Sequence, residues 1–158
     1  MPIHARYIHT NLIAKDWRRL ADFYQQVFGC VPVLPERDLS GEWLERGSGV
    51  RDARLQGVHL RLPGFGDSGP TLEIFQYSES VDAPAPPANR VGFGHIAFSV
   101  EDVAAARAAV VSAGGSELGT VESIVIAGAG KITWAYVRDP EGNIVELQRR
   151  DPEPATPK

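Results

Sequence analysis

Four residues able to bind a metal ion occupy matched positions in this sequence: His9, Glu73, His95 and Glu146. His95 follows His9 by 86 positions (95 − 9), and Glu146 follows Glu73 by 73 positions (146 − 73). Each Glu alternates with apolar neighbours, which is typical of a polar residue within a strand. Imidazole and carboxylate groups bind divalent ions such as Zn, Ni, Co, Mn and Fe(II). The set therefore predicts one divalent metal site.

Each of these residues, taken alone, has a simpler explanation. A Glu between apolar residues usually lies on the solvent face of a half-buried strand, and a lone His in a strand is usually a hydrogen-bonded structural group. The matched pairing of two His with two Glu favours the metal site over these explanations.

The elements around the four residues repeat in the same order. YIHTNLIA alternates like a strand, Asp16 follows as a helix N-cap, and apolar residues then recur at helical spacing up to Gly29. HIAFSV and Asp102 repeat this order 86 positions later. Such agreement indicates duplication of one supersecondary unit. Two units related by a pseudo-twofold axis would bring both His and both Glu together.

Further strands are predicted after each helix. GVHLRLP and TLEIFQY follow in the first unit, and SIVIAG, ITWAYV and IVELQRR follow in the second. Each unit thus contains one strand, one helix and about three further strands. Residues 35–56 occupy the place of the second strand of the first unit. This charged, Gly-punctuated segment, which contains Trp43, is typical of a lid or binding loop.

Two Pro-rich stretches set the predicted boundaries. Residues 82–90, DAPAPPANR, are rich in Pro and cannot pair as a central strand, so they are predicted to form a linker. The first module then covers residues 1–81 and the second covers residues 91–150. Residues 151–158 read as a disordered tail of what is otherwise one structural domain.

Composition narrows the class of protein. The chain has 158 residues, of which 43% are apolar, and a net charge of −4, which argues against nucleic acid and anionic membranes as partners. Its single cysteine, Cys30, excludes an intramolecular disulfide and a Cys-rich zinc site. No apolar run approaches the roughly 20 residues of a membrane span, and the N-terminus lacks a secretory signal. We expect a soluble cytoplasmic protein.

The segments YIHTNL, TLEIFQY, GHIAFSV and DPEGNIVEL, in this order, resemble the vicinal oxygen chelate superfamily. That superfamily includes glyoxalase I, methylmalonyl-CoA epimerase, extradiol dioxygenases and the fosfomycin and bleomycin resistance proteins. The resemblance covers residues 6–150. It implies an α+β fold, in which two βαβββ modules form a curved, cup-like, eight-stranded mixed sheet around one metal site.

The resemblance also implies roles for individual residues. The glyoxalase-type ligand positions fall on His9, Glu73, His95 and Glu146, and glyoxalase I has the closest ligand pattern. Glu146 is the better candidate for the catalytic base, and Glu73 is able to share that role. The implied activity is that of an isomerase or lyase, which acts on a small α-oxygenated carbonyl compound or thioester through a metal-chelated enediolate.

The number of ligands bears on the choice among enzyme classes. Four protein ligands on an octahedral ion leave two positions, which is enough for an enediolate but not for oxygen as well. Two alternatives stay open. An extradiol-type dioxygenase would use Fe(II) or Mn(II) with Glu73 displaced, and a non-catalytic small-molecule binding or resistance protein would use the same cup as a groove.

The sequence gives less information about the substrate and the oligomeric state than about the metal site. Glutathione-using glyoxalases place an Arg and an Asn where this chain has Ile13 and Tyr77, which argues against glutathione as the substrate. His59 could line the cup, but an exposed strand position explains it equally well. A homodimer is expected because open sheet edges need cover.

Overall fold

A computed structural model describes residues 3–152 of the chain. The chain divides into two compact units, Met1–Ala83 and Pro84–Lys158, which we call unit 1 and unit 2. The boundary falls within the predicted linker, where residues 82–90 form neither helix nor strand. The Arg138 guanidinium donates hydrogen bonds to the carbonyl oxygens of Pro86 and Gly142, which attaches this linker to unit 2.

Unit 1 contains a four-stranded mixed sheet and two α-helices. The sheet order is β1-β4-β3-β2, with β1 parallel to β4 and the other pairs antiparallel. The elements in chain order are β1 (His9–Ile13), α1 (Trp17–Phe28), β2 (Val31–Ser40), α2 (Glu42–Ser48), β3 (Arg54–Arg61), a 3-10 turn (Gly66–Ser68) and β4 (Thr71–Tyr77).

Unit 2 repeats this arrangement with one strand more. Its sheet runs β5-β9-β8-β6, with β7 also paired to β8, and β5 is parallel to β9. The elements are β5 (Ile96–Ser99), α3 (Val103–Ser112), β6 (Ser116–Glu117), β7 (Glu122–Ile126), β8 (Gly130–Arg138) and β9 (Ile144–Asp151). The predicted α+β fold is confirmed, with related sheets of four and five strands in the two units.

Both predicted helices begin at the expected caps. The Asp16 carboxylate accepts a hydrogen bond from the Arg19 backbone N–H, and Asp102 does the same for Ala105, which satisfies a free donor at each helix start. Gly29 ends α1 in the left-handed region at φ 68°, a conformation that costs glycine little. In residues 3–152, no helix combines the length and the apolar character needed to cross a bilayer.

Alternation along the strands separates the core from the site. In β4, Leu72 and Ile74 are buried beside α1, so Glu73 between them projects from the opposite face. In β9, Val145 and Leu147 are fully buried and flank Glu146 in the same way. Apolar burial on one face therefore fixes the direction of each carboxylate on the other.

The prediction of a long irregular loop at residues 35–56 is wrong. Most of this segment forms the ten-residue β2 and the seven-residue α2. A register shift between Val33 and Arg37 breaks the alternation by which a strand is recognised in sequence. The short α2 buries only Leu44, too little for a periodic apolar pattern. Trp43 lies on α2 rather than on a loop.

The strand count and the end of the second unit also differ from expectation. Residues 3–152 contain nine strands instead of eight, because the two-residue β6 and the longer β7 share one edge of β8. The last strand continues to Asp151, which pairs with Lys131, so it extends into the predicted tail. Residues 153–158 of that tail lie outside the described residues.

Candidate metal centre

Glu73 lies in β4, between the two strands that supply its neighbours. The pairing register places Asn11 of β1 opposite Glu73 on one side and His59 of β3 opposite it on the other. His9 precedes Asn11 by two residues and therefore projects from the same face of the sheet. The topology of unit 1 thus brings His9, His59 and Glu73 together.

The donor atoms of these three side chains lie within 4.8 Å of one another. His59 Nε2 is 2.9 Å from Glu73 Oε2, and His9 Nε2 is 3.7 Å from Glu73 Oε1. Asn11 Nδ2 donates a hydrogen bond of 2.8 Å to Oε1. The two imidazole rings meet edge to face, with centroids 5.6 Å apart. Both oxygens of the Glu73 carboxylate are therefore held by partners.

The cluster is partly buried. The side chain of Glu73 is 14% exposed, that of His59 20% and that of His9 36%. Burial lowers the pKa of His59, although the nearby Glu73 carboxylate acts in the opposite direction. His59 Nδ1 lies 3.0 Å from Thr71 Oγ1. A neutral imidazole that is held at one nitrogen presents a lone pair at the other, as a metal ligand must.

This donor set fits a divalent ion. Nitrogen and carboxylate ligands bind Zn²⁺ at about 2.0–2.2 Å, so two donors lie about 3.4 Å apart on a tetrahedral ion and about 3 Å apart at the right angles of an octahedral ion. The 2.9 Å separation of His59 and Glu73 and the 3.7 Å separation of His9 and Glu73 lie close to these two spacings. His9, His59 and Glu73 are therefore able to hold an ion of the Zn, Ni, Co, Mn or Fe(II) type.

Unit 2 presents a related but smaller group. His95 lies one residue before β5, and its Nε2 is 2.8 Å from Oε2 of Glu146 in β9. Gln148 donates a hydrogen bond of 2.9 Å to the other oxygen, Oε1. Tyr136 lies opposite Glu146 in the β8–β9 register, and its ring centroid is 5.0 Å from that of His95. Both oxygens of the Glu146 carboxylate are therefore contacted by a side chain.

The structure pairs each predicted ligand with a partner from its own unit. His9 lies beside Glu73 in unit 1, and His95 lies beside Glu146 in unit 2. The place of His59 in the cluster was not evident from local alternation. The turn-rich segment 64–69 could have indicated it, because a hairpin centred at residue 66 places residues 59 and 73 opposite each other.

Comparison with known proteins identifies the family. The model of the Glyoxalase/Bleomycin resistance protein/Dioxygenase superfamily matches residues 6–147. The chain belongs to this superfamily. The resemblance predicted from the four sequence segments is thereby confirmed, and the His and Glu groups of both units fall within the matched range.

Two plant proteins are similar in sequence. A protein of Brassica oleracea var. gemmifera, provisionally named lactoylglutathione lyase, is 30% identical over 150 residues. A lactoylglutathione lyase of Arabidopsis thaliana is 29% identical over 150 residues. Each alignment covers 94% of this chain, but the chain spans only 46% of the length of either relative.

Solved structures of the superfamily share the fold at low sequence identity. A glyoxalase family protein from Bacillus cereus has a TM-score of 0.78 at 17% identity, and the match covers 94% of this chain and 96% of that protein. A glyoxalase/bleomycin resistance protein/dioxygenase domain from Frankia sp. EAN1pec has a TM-score of 0.60 at 16% identity, and the match covers 94% of this chain and 100% of that domain.

Proposed function

We propose that this protein is a metal-dependent isomerase or lyase of the glyoxalase type, which acts on a small α-oxygenated carbonyl compound or thioester. The observation that carries the proposal is the recurrence of an imidazole beside a hydrogen-bonded carboxylate in both units, at 2.9 Å in unit 1 and 2.8 Å in unit 2. The proposed ligands are His9, Glu73, His95 and Glu146. Membership of the superfamily and the two similar lyases support it.

Glu146 is the proposed proton carrier. A divalent ion, when bound, supplies Lewis acidity that makes a hydrogen beside a carbonyl more acidic. The Glu146 carboxylate takes this proton from one carbon and returns it to the neighbouring carbon. The substrate's hydroxyl proton moves between its two oxygens, so no atom is gained or lost. Gln148 and His95 hold the two carboxylate oxygens of Glu146 in place for this transfer.

Glu73 is the second proposed proton carrier, and its surroundings argue for a smaller part. Two imidazoles and an amide surround its carboxylate, whereas Glu146 has one imidazole and one amide. The charge of Glu73 therefore has more partners than that of Glu146. Since a proton acceptor must keep a lone pair available, Glu73 is the less suitable of the two as a base. Glu73 is accordingly proposed mainly as a ligand.

The proposed substrate is small and need not carry a glutathione tripeptide. Ile13 lies on the same strand face as His9 and Asn11 and is 46% exposed, so it offers an apolar contact. Tyr77 is partly buried and packs against the cluster of Leu44, Ala53, Leu55 and Phe75. Neither side chain provides the charge or the amide that recognition of a charged peptide requires.

Carbon–hydrogen exchange tests the proposal across a whole class of substrates. The metal-loaded protein is incubated in D₂O with 2-oxoaldehydes, with and without a thiol, and NMR follows isomerisation and deuterium uptake. Turnover is expected to need the metal and to fall about 10²–10⁴-fold in Glu146→Gln, as for loss of a general base. Glu79→Gln, at an exposed glutamate, is the control. Undiminished exchange in Glu146→Gln would contradict the proposal.

A specific observation favours one second candidate, an Fe(II)-dependent dioxygenase. His9, His59 and Glu73 provide two imidazoles and one carboxylate, the donor set of non-haem Fe(II) oxygenases. Oxygen uptake by the anaerobically Fe(II)-loaded protein on addition of a catechol, together with a ring-cleaved product, would select this candidate. Absence of oxygen uptake beside metal-dependent carbon–hydrogen exchange would select the isomerase.

A further inference from the structure

His59 stands at a position where the two units differ. It lies opposite Glu73 in the β3–β4 register, and its counterpart in unit 2 is Tyr136, which lies opposite Glu146 in the β8–β9 register. Because Tyr136 is a phenol, unit 2 has only one imidazole and one carboxylate at this place. Unit 1 has two imidazoles and one carboxylate. The duplication therefore produced unequal halves.

We propose that His59 is a metal ligand, and that unit 1 holds the ion through His9, His59 and Glu73 even when the donors of unit 2 are removed. The inference rests on the proposed metal dependence. It assigns different tasks to the two units. Unit 1 retains the ion through these three donors, which leaves three positions of an octahedral ion open, and Glu146 serves as the proton carrier.

The distances support three ligands on one ion. His59 Nε2 is closer to the Glu73 carboxylate, at 2.9 Å, than His9 Nε2 is, at 3.7 Å. His59 is also less exposed than His9, which protects it from competing water. A set that includes His9 but omits His59 would thus omit the imidazole nearer to the carboxylate.

Thr71 positions the His59 ring. Its Oγ1 lies 3.0 Å from Nδ1. With an ion bound, the hydroxyl would accept a hydrogen bond from Nδ1–H, and the Nε2 lone pair would be left for the ion. Histidines that bind metals nearly always have such a partner at their other ring nitrogen, and its loss typically weakens binding about 10–100-fold. Thr71 begins β4, two residues before Glu73. The strand β4 therefore carries both the proposed ligand Glu73 and the hydroxyl that orients His59.

Titration of the full-length chain with Co²⁺ tests the inference. Calorimetry gives stoichiometry and affinity, and visible absorption reports the ligand field. The double variant His95→Ala/Glu146→Gln is expected to bind one Co²⁺ per chain. Adding His59→Gln to it is expected to abolish stoichiometric binding. In the otherwise unaltered chain, His59→Gln is expected to weaken binding at least about tenfold and to change the spectrum. His4→Gln, at an exposed histidine, is the matched control.

A second pair of variants repeats the test without removing an imidazole. Thr71→Val is expected to weaken Co²⁺ binding about tenfold, because the hydroxyl that orients His59 is lost. Thr71→Ser keeps the hydroxyl and is expected to restore affinity. Circular dichroism verifies that every variant is folded.

Each outcome decides between the two proposals. Loss of all binding in the His95→Ala/Glu146→Gln variant, while the unaltered chain binds one ion, would overturn the role of His59 and leave the proposed function intact. Unaltered affinity in both His59→Gln and Thr71→Val would overturn it as well. Failure of the unaltered chain to bind any of the five candidate metals would contradict the proposed function itself.

Discussion

His59 and Glu73 face each other across β3 and β4, with 2.9 Å between Nε2 and Oε2. In unit 2 the equivalent carboxylate oxygen of Glu146 is contacted by His95, which precedes β5, at 2.8 Å. The two units thus hold their glutamates in the same way but take the imidazole from different strands. The same kind of contact thus occurs in both units, although residues at different positions of the unit make it.

Asn11 is expected to support metal binding through Glu73. Its Nδ2 donates to Glu73 Oε1 at 2.8 Å, and Asn11→Leu keeps the approximate size of the side chain but removes this donor. The freed carboxylate becomes less well oriented, so we expect metal affinity to fall roughly 10-fold. Calorimetric titration measures the change, and Asn89→Leu, at an exposed position in the segment 82–90, is the control. Equal affinities of the two variants would argue against a role for Asn11.

Gly57 is expected to be required for the pairing of β3 with β4. A Cβ at this buried position would lie 2.0 Å from the Ile74 carbonyl oxygen and 2.9 Å from Phe75 Cα, and this backbone cannot move aside. We expect Gly57→Ala to lower the free energy of unfolding by about 1–3 kcal/mol, as overpacking does. Urea denaturation measures it.

Gly47 in α2 supplies the contrast. An added Cβ there meets nothing within 4 Å. Because alanine is a better helix former than glycine, we expect Gly47→Ala to leave stability unchanged or to raise it by about 0.5–1 kcal/mol. A Gly57→Ala variant as stable as Gly47→Ala would show that β3 and β4 have more room than the described packing allows.

Much of the fold could be predicted because its signals are local. The caps at Asp16 and Asp102 act within one helical turn, and alternation around Glu73 and Glu146 reports burial on one face of a strand. The strand β2 was not predicted because its bulge interrupts that alternation. The contribution of His59 depends on strand pairing, a non-local relationship that becomes visible in sequence only through the hairpin turn.

Cys30 is expected to be unreactive in the folded protein. The side chain is buried, and burial raises the pKa of its thiol to about 11. Since the thiolate is the reactive form, we expect no reaction with a disulfide reagent at about pH 8 and one equivalent after unfolding in guanidinium. Rapid labelling of the native protein would contradict the described burial.

The same shift gives a direction for stability at high pH. Because the thiol pKa is higher in the folded state, its contribution is fully present below the unfolded-state pKa, about 9, and is lost as the pH rises towards about 11. Stability measured by urea denaturation should fall over this interval. The stability of the Cys30→Ala variant should fall less steeply over the same pH interval. Parallel stability curves for the two proteins would rule out Cys30 as the cause.

The proposed function requires that these His and Glu residues bind one divalent ion. Elemental analysis of the purified protein, before and after reconstitution with Zn, Ni, Co, Mn or Fe(II), measures this directly. We predict one tightly held ion per chain that remains after gel filtration and leaves on treatment with a strong chelator. A metal content near zero in both samples would contradict the claim.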